Sequence, residues 1–372
     1  MKLRSTIPIL ACLLLVFSIY LAQAPSVHSW SWDTHRFIDN EAEGVFSDNS
    51  FFSNYHSTLK EWCIKPDQVK NFMPDGGGNA DWHYLDAHSY NPLVYTGGEL
   101  PWAMEWIFDN IVQYLKNGNW DTAAQLMGAI SHFSADATMP LHSTYNYNPG
   151  GNHTNYEGVV DSHLGEMSIP DNYVPQELDN ITNAALATLA ESFSFTKEGS
   201  NGGVNLTDFL EDSILWNDWI RSMTENRVRA SVQFTANVWY TAMIRAGLTI
   251  QAPTLTSHLD GTTTTDGTPT FTWTSVNGTI FYDLQLASDN GFTSDVFTVK
   301  DLSTTSYTLE NPLSDGSWYW RVRSGDNSTH VGLWSQSQRF TIETTTSVTT
   351  IIVIIVIVAV AAIGVVLFFK RK

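Results

Sequence analysis

The chain has 372 residues, of which 43% are hydrophobic and 15% are charged, and its formal net charge is −19 at pH 7. At roughly 100–200 residues per domain, this length is enough for two or three domains. The acidic balance disfavours long-range attraction to nucleic acid, which normally depends on a positive surface.

Residues 1–29 are typical of a secretory signal. A short basic start is followed by an apolar run over residues 8–20 and then by small residues. We expect cleavage after Ser29, which leaves Trp30 as the mature N-terminus. The alternative cut after Ala24 would place a proline next, which disfavours cleavage.

Residues 30–250 are predicted to form a mainly helical domain. In residues 225–246, apolar side chains recur with a period of about 3.6, which indicates an amphipathic helix. Further segments with helical patterns are 102–115, 121–134, 174–192 and 206–223.

Residues 252–343 differ in composition, because they are rich in Thr, Ser and Gly with alternating apolar residues. The run 318–323 resembles the late strand of fibronectin type III domains. The segment is therefore predicted to be a C-terminal, fibronectin type III-like β-sandwich. Its short predicted strands, spaced as in such a fold, are 270–273, 281–286, 296–300, 307–309, 318–322 and 338–342.

Residues 351–369 are typical of a transmembrane helix, because they contain no charge and no proline. At a rise of about 1.5 Å per residue, they are long enough to cross the roughly 30 Å hydrocarbon core. The basic residues 370–372 predict a cytoplasmic tail, and 344–350 form a polar linker to the span. We therefore expect a single-pass protein of the cell surface with its N-terminal ectodomain outside, and a buried core helix is the alternative.

Five Asn-X-Ser/Thr sequons lie in the predicted ectodomain, which agrees with a glycoprotein on a secretory route. Because the chain is rich in Asn and Thr, chance accounts for some of them. The sequons are at Asn152, Asn180, Asn205, Asn277 and Asn327.

Histidines are concentrated in the first half of the chain, where nine of the eleven occur. His132 and Asp136 stand four residues apart on a predicted helix, so both side chains lie on one face. His153 and Glu157 repeat this spacing. Imidazole and carboxylate groups suit zinc, although manganese and iron accept the same ligand types. We therefore expect a metal centre in the helical domain.

Metal-ligand residue types recur in a defined order along this domain. In chain order they are Asp67, His83, His132, Asp136, His142, His153 and Glu157. The series resembles the ligand set of the zinc-dependent phospholipase C family, and segments 131–142 and 151–161 carry its most specific parts. This family shares a helical fold and a trinuclear zinc site with single-strand-specific nucleases. The resemblance spans residues 30 to about 247 and implies a mainly α catalytic domain of this type.

In both branches of the family, the mature chain begins with a tryptophan whose amino group and carbonyl oxygen bind one metal. A histidine ligand follows shortly after. Trp30 and His35 supply this pair if cleavage follows Ser29, and Trp32 is the alternative N-terminal residue. An α-amine binds metal only when it is free and deprotonated, so signal cleavage would complete the centre.

The resemblance implies three zinc ions per chain. Asp67 has a second implied role as a catalytic residue, since its carboxylate could orient or deprotonate the attacking water. Asp86, His88 and His163 match no ligand and are interpreted as neighbouring or surface groups. The implied sets are Asp67, His83, His132 and Asp136 for one ion, His142, His153 and Glu157 for a second, and Trp30 with His35 for a third, Asp136 bridging.

The implied function is that of an extracellular, membrane-anchored zinc phosphodiesterase. More narrowly, it is a phospholipase C that hydrolyses phospholipids to diacylglycerol and a phosphorylated head group. Glu157 in place of Asp and the short spacing from His142 to His153 favour the phospholipase branch. Asp33 lies where that branch has an acidic residue near a cationic head group. The expected partners are a phospholipid or other phosphodiester and, through the C-terminal helix, the membrane.

Two alternatives remain. The aromatic residues of the choline site have no counterpart here, and Tyr84 and Asp86 could stack on and hydrogen-bond a base, as in a single-strand-specific nuclease or nucleotidase. Nucleic acid is a partner under that alternative alone. The second alternative is a non-catalytic surface adhesion protein, which the complete set of ligand types disfavours.

Overall fold

A computed structural model describes residues 30–46, 49–168, 173–326 and 331–344. The chain divides into two compact units, Met1–Leu248 (the helical unit) and Thr249–Lys372 (the β unit). The predicted signal and the predicted transmembrane helix lie outside the described residues. Among the residues that are described, no helix is both long and apolar enough to span a membrane.

The helical unit is built from helices of very different length, with one short hairpin between the third and fourth. The helices are α1 (Trp32–Gly44), α2 (Ser50–Trp62), α3 (Lys65–Gln68), α4 (Leu100–Lys116), α5 (Trp120–Thr138), α6 (His153–His163), α7 (Ile181–Phe193), α8 (Leu206–Glu211) and α9 (Asp218–Ala246). The hairpin pairs β1 (Ala87–Tyr90) with β2 (Leu93–Tyr95) in antiparallel register.

Helix α5 forms the centre of the helical unit. Every residue from 126 to 138 is buried, and α2, α4 and α9 pack around the helix. At Gly128, a Cβ would lie 2.7 Å from the carbonyl oxygen of Leu59, so only glycine allows α2 to approach this closely. On another side, Trp239 of α9 donates its indole N–H to the carbonyl oxygen of Met127 at 2.9 Å. A helix enclosed in this way is a rigid support for polar groups on it.

Two predicted helices differ from the structure. The one predicted over 174–192 begins later, at α7, because the Asn180 side chain accepts a hydrogen bond from a backbone N–H of the first turn. The one predicted over 206–223 is divided into α8 and α9, because Asn217 caps α9 in the same way. Asparagine is favoured at such caps since its oxygen satisfies an otherwise unpaired N–H. Helices α1, α2, α3 and α6 are additional to the predicted set.

The β unit consists of two sheets around a shared core. Its strands are β3 (Thr262–Thr264), β4 (Thr270–Thr272), β5 (Phe281–Ala287), β6 (Phe297–Leu302), β7 (Ser306–Thr308), β8 (Gly316–Gly325) and β9 (Gln338–Ile342). One sheet has the order β3-β9-β8-β5-β6, with β3 parallel to β9, and the other pairs β4 with β7. Phe271 of β4 and Trp320 of β8 meet in the core with ring centroids 4.7 Å apart. Each predicted strand has a counterpart, and β3 is additional.

Candidate metal centre

Four ligand-type side chains converge on one face of α5. His132 and Asp136 stand one turn apart on this helix, while Asp67 comes from α3 and His83 from the 3₁₀ turn Ala80–His83. His83 Nδ1 lies 3.1 Å from Asp136 Oδ2 and 3.7 Å from Asp67 Oδ1. His132 Nε2 lies 3.5 Å from Asp67 Oδ1 and 3.0 Å from His83 Nδ1. Such short separations are those of side chains that can share a metal ion.

His35 of α1 lies beside these four side chains. Its ring stacks on that of His132 with centroids 3.9 Å apart, and its Nε2 lies 3.6 Å from Asp136 Oδ1. His132 therefore belongs to two groups, one with His35 and Asp136 and one with Asp67 and His83. Within each group the candidate ligand atoms lie within 4.8 Å of one another.

His142, His153 and Glu157 form a third group, whose candidate ligand atoms also lie within 4.8 Å of one another. His142 is in the 3₁₀ turn Pro140–Ser143, and the other two residues are one turn apart on α6. His153 Nε2 lies 2.9 Å from Glu157 Oε1, and the rings of His142 and His153 have centroids 5.3 Å apart. All three side chains are buried.

Backbone carbonyl groups orient two of these imidazoles. His132 Nδ1 lies 2.8 Å from the carbonyl oxygen of Cys63, and His142 Nδ1 lies 2.7 Å from that of His83. Because a carbonyl oxygen only accepts, Nδ1 of each ring carries the proton. The other nitrogen, Nε2, then presents its lone pair as a metal ligand would.

Trp30 is fully buried against α5. Its indole N–H donates to the carbonyl oxygen of Ala135 at 3.0 Å, and its ring centroid lies 6.2 Å from that of Tyr156 on α6. Trp30 is thus held against the residue that precedes Asp136. By contrast, Trp32 is 43% exposed, so packing favours Trp30 over Trp32 as the residue at the centre.

Asp161 connects α6 to the beginning of α1. Its carboxylate accepts hydrogen bonds from Ser31 Oγ and, at 2.8 Å, from Thr34 Oγ1. A negative charge near the N-terminus of a helix is also favoured by the helix dipole. These contacts hold the segment that joins Trp30 to His35. The sequence motif includes Asp161, but only the fold shows which partners it has.

A cavity of about 400 Å³ lies between the first turn of α1 and α6. Glu157 forms part of its wall, so the cavity borders the third group of ligand-type residues. Trp32, Asp33 and Arg36 line the side formed by α1, and Thr154 lines the side formed by α6. Arg36 Nη1 lies 3.3 Å from Asp33 Oδ1, so this cavity offers both signs of charge.

Burial and mutual charge shift the ionisation of the clustered groups. Burial, aided by the charge of His132, lowers the pKa of His35 to about 3. Burial would lower the pKa of His132 as well, but Asp136 and Asp67 outweigh it and raise that pKa to about 9. Burial and the charges of Asp67 and Asp136 hold the pKa of Glu157 well above its usual value. A divalent cation would favour ionised carboxylates and neutral imidazoles, which are the forms that bind metal.

Two buried carboxylate oxygens provide a test of whether metal fits here. Asp67 Oδ2 and Asp136 Oδ1 are buried and have no hydrogen-bond partner among the residues that the structure describes. Leaving such oxygens without a partner is unfavourable unless a cation compensates them. Imidazole nitrogens and carboxylate oxygens are a donor set that zinc accepts. The residues of the centre therefore fit zinc.

Asp86, His88 and His163 do not join these groups. His88 stacks on Tyr145 with ring centroids 4.2 Å apart, and His163 stacks on Trp216 at 4.3 Å. Among the described residues, the candidate metal groups contain none of the three.

Residues 33–195 match the family model described as zinc dependent phospholipase C, and this segment contains every candidate ligand except Trp30. This chain contains a zinc-dependent phospholipase C domain. The resemblance predicted from the sequence is confirmed, and the domain is that of a zinc-dependent hydrolase acting on phosphodiester bonds. No curated protein sequence matches the chain.

Three solved structures are similar to the chain at TM-scores below 0.5. Alpha toxin from Clostridium absonum is 13% identical with a TM-score of 0.44, and the match covers 85% of this chain and 98% of that one. Alpha-toxin from an avian strain of Clostridium perfringens is 11% identical with a TM-score of 0.40, covering 83% and 98%. A Fn3-like protein from Clostridium thermocellum is 20% identical with a TM-score of 0.21, covering 25% and 94%. The phospholipase C domain is assigned from its sequence match and not from these similarities.

Proposed function

We propose that this chain is a cell-surface phospholipase C that hydrolyses phospholipids to diacylglycerol and a phosphorylated head group. The observation that carries the proposal is the convergence of three groups of buried ligand-type side chains beside a cavity. Two of these groups share His132 and therefore lie next to each other. Such an arrangement agrees with three zinc ions per chain.

The proposed ligands divide among the three zinc ions. Bound zinc supplies positive charge to phosphoryl oxygens and lowers the pKa of a water molecule. Asp136 is suited to bridge two ions, because its Oδ2 faces His83 and its Oδ1 faces His35. The sets are Asp67, His83, His132 and Asp136 for the first ion, His142, His153 and Glu157 for the second, and Trp30, His35 and Asp136 for the third.

Asp67 is the proposed proton acceptor. One of its oxygens, Oδ1, lies 3.5 Å from His132 Nε2 and 3.7 Å from His83 Nδ1. The other, Oδ2, is buried and has no hydrogen-bond partner within the described part of the chain. A carboxylate with one oxygen toward the ligands and one without a partner can orient a water molecule and accept its proton.

The cavity between α1 and α6 is the proposed substrate pocket. Trp32 and Asp33 offer an indole face and a carboxylate, which attract a cationic head group. Arg36 offers guanidinium donors, which suit phosphate oxygens. In a phospholipid head group that carries an ammonium and a phosphate, the ammonium would contact Trp32 and Asp33 and the phosphate would contact Arg36. This pairing of charges supports a phospholipid substrate over one that carries phosphate alone.

We place the phospholipase C domain outside the cell on the basis of the predicted signal over 1–29 and the predicted span over 351–369. Protease treatment of intact cells tests this topology. We expect the domain to be digested while an epitope attached after Lys372 stays protected. Digestion that requires permeabilised cells would contradict it.

Side-by-side assays of the zinc-loaded protein test the proposed reaction. The substrates are phosphatidylcholine, phosphatidylethanolamine and single-stranded DNA, and we expect phosphorylated head groups from the lipids and no nucleotides from the DNA. His153→Ala is the control for metal-dependent turnover. Release of nucleotides without any phosphorylated head group would replace the phospholipase with the nuclease alternative. Full zinc loading with no turnover of any substrate would favour the adhesion alternative.

A further inference from the structure

The predicted glycosylation sequons differ in what their asparagine side chains do in the fold. Four of them, at Asn152, Asn180, Asn205 and Asn277, lie in the described part of the chain, and Asn327 lies outside it. A glycan is joined to the side-chain Nδ2 and needs access to solvent. The burial and hydrogen bonds of each asparagine therefore decide which sequon can carry a glycan in the folded protein.

Asn205 is enclosed by its own packing and is 2% exposed. Its Nδ2 donates to the carbonyl oxygen of Gly203 at 3.0 Å and to Asp208 Oδ2 at 2.9 Å. Its Oδ1 accepts from the backbone N–H of Asp208 at 2.8 Å and caps α8. A glycan on this nitrogen would replace one of its two hydrogens, so at least one donation would be lost, and a sugar at so buried a position would disturb the cap.

Asn152 and Asn180 are also engaged. Asn152 Nδ2 donates to the carbonyl oxygen of Leu210 at 2.9 Å, and the next residue is the candidate ligand His153. Asn180 is half-buried and caps α7 through Oδ1, while its Nδ2 lies 3.4 Å from Glu105 Oε2 on α4. A sugar on Asn152 would crowd the candidate metal centre, and a sugar on Asn180 would disturb the contact between α7 and α4.

Asn277 has none of these restraints. Its side chain is exposed, and it forms no hydrogen bond with any residue that the structure describes. It stands in the turn between β4 and β5, where the backbone N–H of Thr279 donates to the carbonyl oxygen of Val276 at 3.3 Å. Gly278 follows at φ 78°, which matches a type II turn with glycine in its third position. This turn places Asn277 at its tip.

We propose that Asn277 is the glycosylated residue of these four sequons and that Asn152, Asn180 and Asn205 stay unmodified. The co-substrate is a lipid-linked oligosaccharide, used by a membrane oligosaccharyltransferase outside the cytoplasm. In the transfer, a bond forms between Asn277 Nδ2 and the anomeric carbon of the sugar while the bond from that carbon to the lipid phosphate breaks. The lipid phosphate leaves with the bonding electron pair, and the amide nitrogen loses one proton.

Peptide mapping of the full chain, produced in cells that perform N-linked glycosylation, tests the proposal. Amidase release of the glycan in heavy-oxygen water turns a glycosylated Asn into a labelled Asp, which mass spectrometry locates. We expect the label at Asn277 and not at Asn152, Asn180 or Asn205. Trypsin cleaves between Asn277 and Asn327, so the occupancy of the fifth sequon is measured separately.

Matched variants of one sequon separate loss of the site from loss of the fold. Asn277→Gln and Thr279→Ala should both remove the glycan, whereas Thr279→Ser keeps the sequon and should keep the glycan. Thr279 Oγ1 is buried but has no hydrogen-bond partner in the described part of the chain, so neither threonine variant loses a hydrogen bond and both should fold.

An unlabelled Asn277 in protein that surface proteolysis shows to be outside the cell would overturn the proposal. A label on Asn152, Asn180 or Asn205 would overturn it as well. A chain that never leaves the cytoplasm cannot meet the transferase, which overturns the proposal together with the proposed topology. The proposal rests on the proposed topology, but none of these outcomes depends on phospholipase activity, so it can fail while the proposed reaction stands.

Discussion

At the residue scale, His132 is the side chain that connects the candidate metal groups. Its Nδ1 is held by the carbonyl oxygen of Cys63, its ring stacks on His35, and its Nε2 lies beside Asp67 and His83. Loss of this one imidazole would therefore disturb two groups at once.

Asp67→Asn should reduce turnover by about 10²-fold or more while the free energy of unfolding changes little, because the amide keeps the shape but cannot accept a proton. Zinc content and Tm are measured on the same sample, since loss of a ligand would also reduce turnover. Asp109→Asn, at an exposed position on α4, is the control. Wild-type turnover by zinc-loaded Asp67→Asn would exclude the proton-accepting role.

Glu43 predicts a pH dependence of stability away from the metal centre. It lies beside the fully buried Asp39 and within 3.0 Å of His56 Nδ1. Burial raises the pKa of Glu43 from 4.5 to about 7, with Asp39 and Lys60 acting in the opposite direction. The folded protein thus keeps a proton that the unfolded chain releases. The stability contributed by this proton is complete below pH 4.5 and is lost as the pH rises to about 7.

Glu43→Gln cannot ionise and should therefore gain stability relative to wild type when the pH is raised from about 5 to about 8. The measurement is the Tm of both proteins at the two pH values. Glu41→Gln, on the same helix but without these contacts, should show no such change. A difference in Tm between Glu43→Gln and wild type that is equal at both pH values would contradict the assigned pKa.

At the scale of elements, the candidate centre depends on how α1 and α6 are placed around α5. Helix α5 supplies His132 and Asp136, α6 supplies His153 and Glu157, and α1 supplies His35. Because every residue of α5 from 126 to 138 is buried, its two ligands have little freedom. The start of α1 has fewer restraints, so its hydrogen bonds to α6 would be decisive for the proposed third zinc ion.

Asp161→Asn should weaken the connection between α6 and the start of α1. The neutral amide is a weaker hydrogen-bond acceptor for Ser31 and Thr34 than the charged carboxylate. We expect a loss of about 1–2 kcal/mol in the free energy of unfolding, reduced by the partial exposure of the group. The zinc held by Trp30 and His35 should dissociate more readily than the others, which elemental analysis after dialysis would detect. Asp212→Asn, an exposed change on the same unit, should leave both quantities unchanged. Unaltered zinc retention in Asp161→Asn would refute the connection.

At the scale of the whole molecule, bound zinc would act as a cross-link within the helical unit. Its candidate ligands come from α1, α3, α5, α6 and two 3₁₀ turns, which are segments separated along the chain. Metal that binds the folded state alone adds its binding free energy to the stability of that state. The β unit has its own core, and its described residues contribute none of the candidate ligands.

The purified chain should contain about three zinc ions, and chelation should both abolish turnover and lower the Tm. Elemental analysis and thermal unfolding with and without chelator are the measurements. His132→Ala and His153→Ala should each lose zinc, because each removes a proposed ligand of a different ion. Protein purified without chelator that contains no transition metal would contradict the zinc centre.

The sequence by itself determined which residues could form ligand pairs. His132 with Asp136 and His153 with Glu157 are each four residues apart, and a helix places residues at this spacing on one face whatever surrounds it. Helices α5 and α6 do run through these pairs. The change from helical to strand periodicity near residue 251 could also be identified from the sequence. The 3.6-residue period of a helix and the two-residue period of a strand are both properties of the local backbone.

Only the tertiary structure decided which segments meet these pairs. Asp161 and Thr34 are 127 residues apart, and no local pattern encodes their contact. The approach of α2 to α5 depends on the absence of a side chain at Gly128, and α9 begins where Asn217 caps it. Contacts of this kind depend on how entire helices pack against one another in the tertiary structure. For that reason the partners of Asp161 and the cavity beside Glu157 could not be predicted from spacing alone.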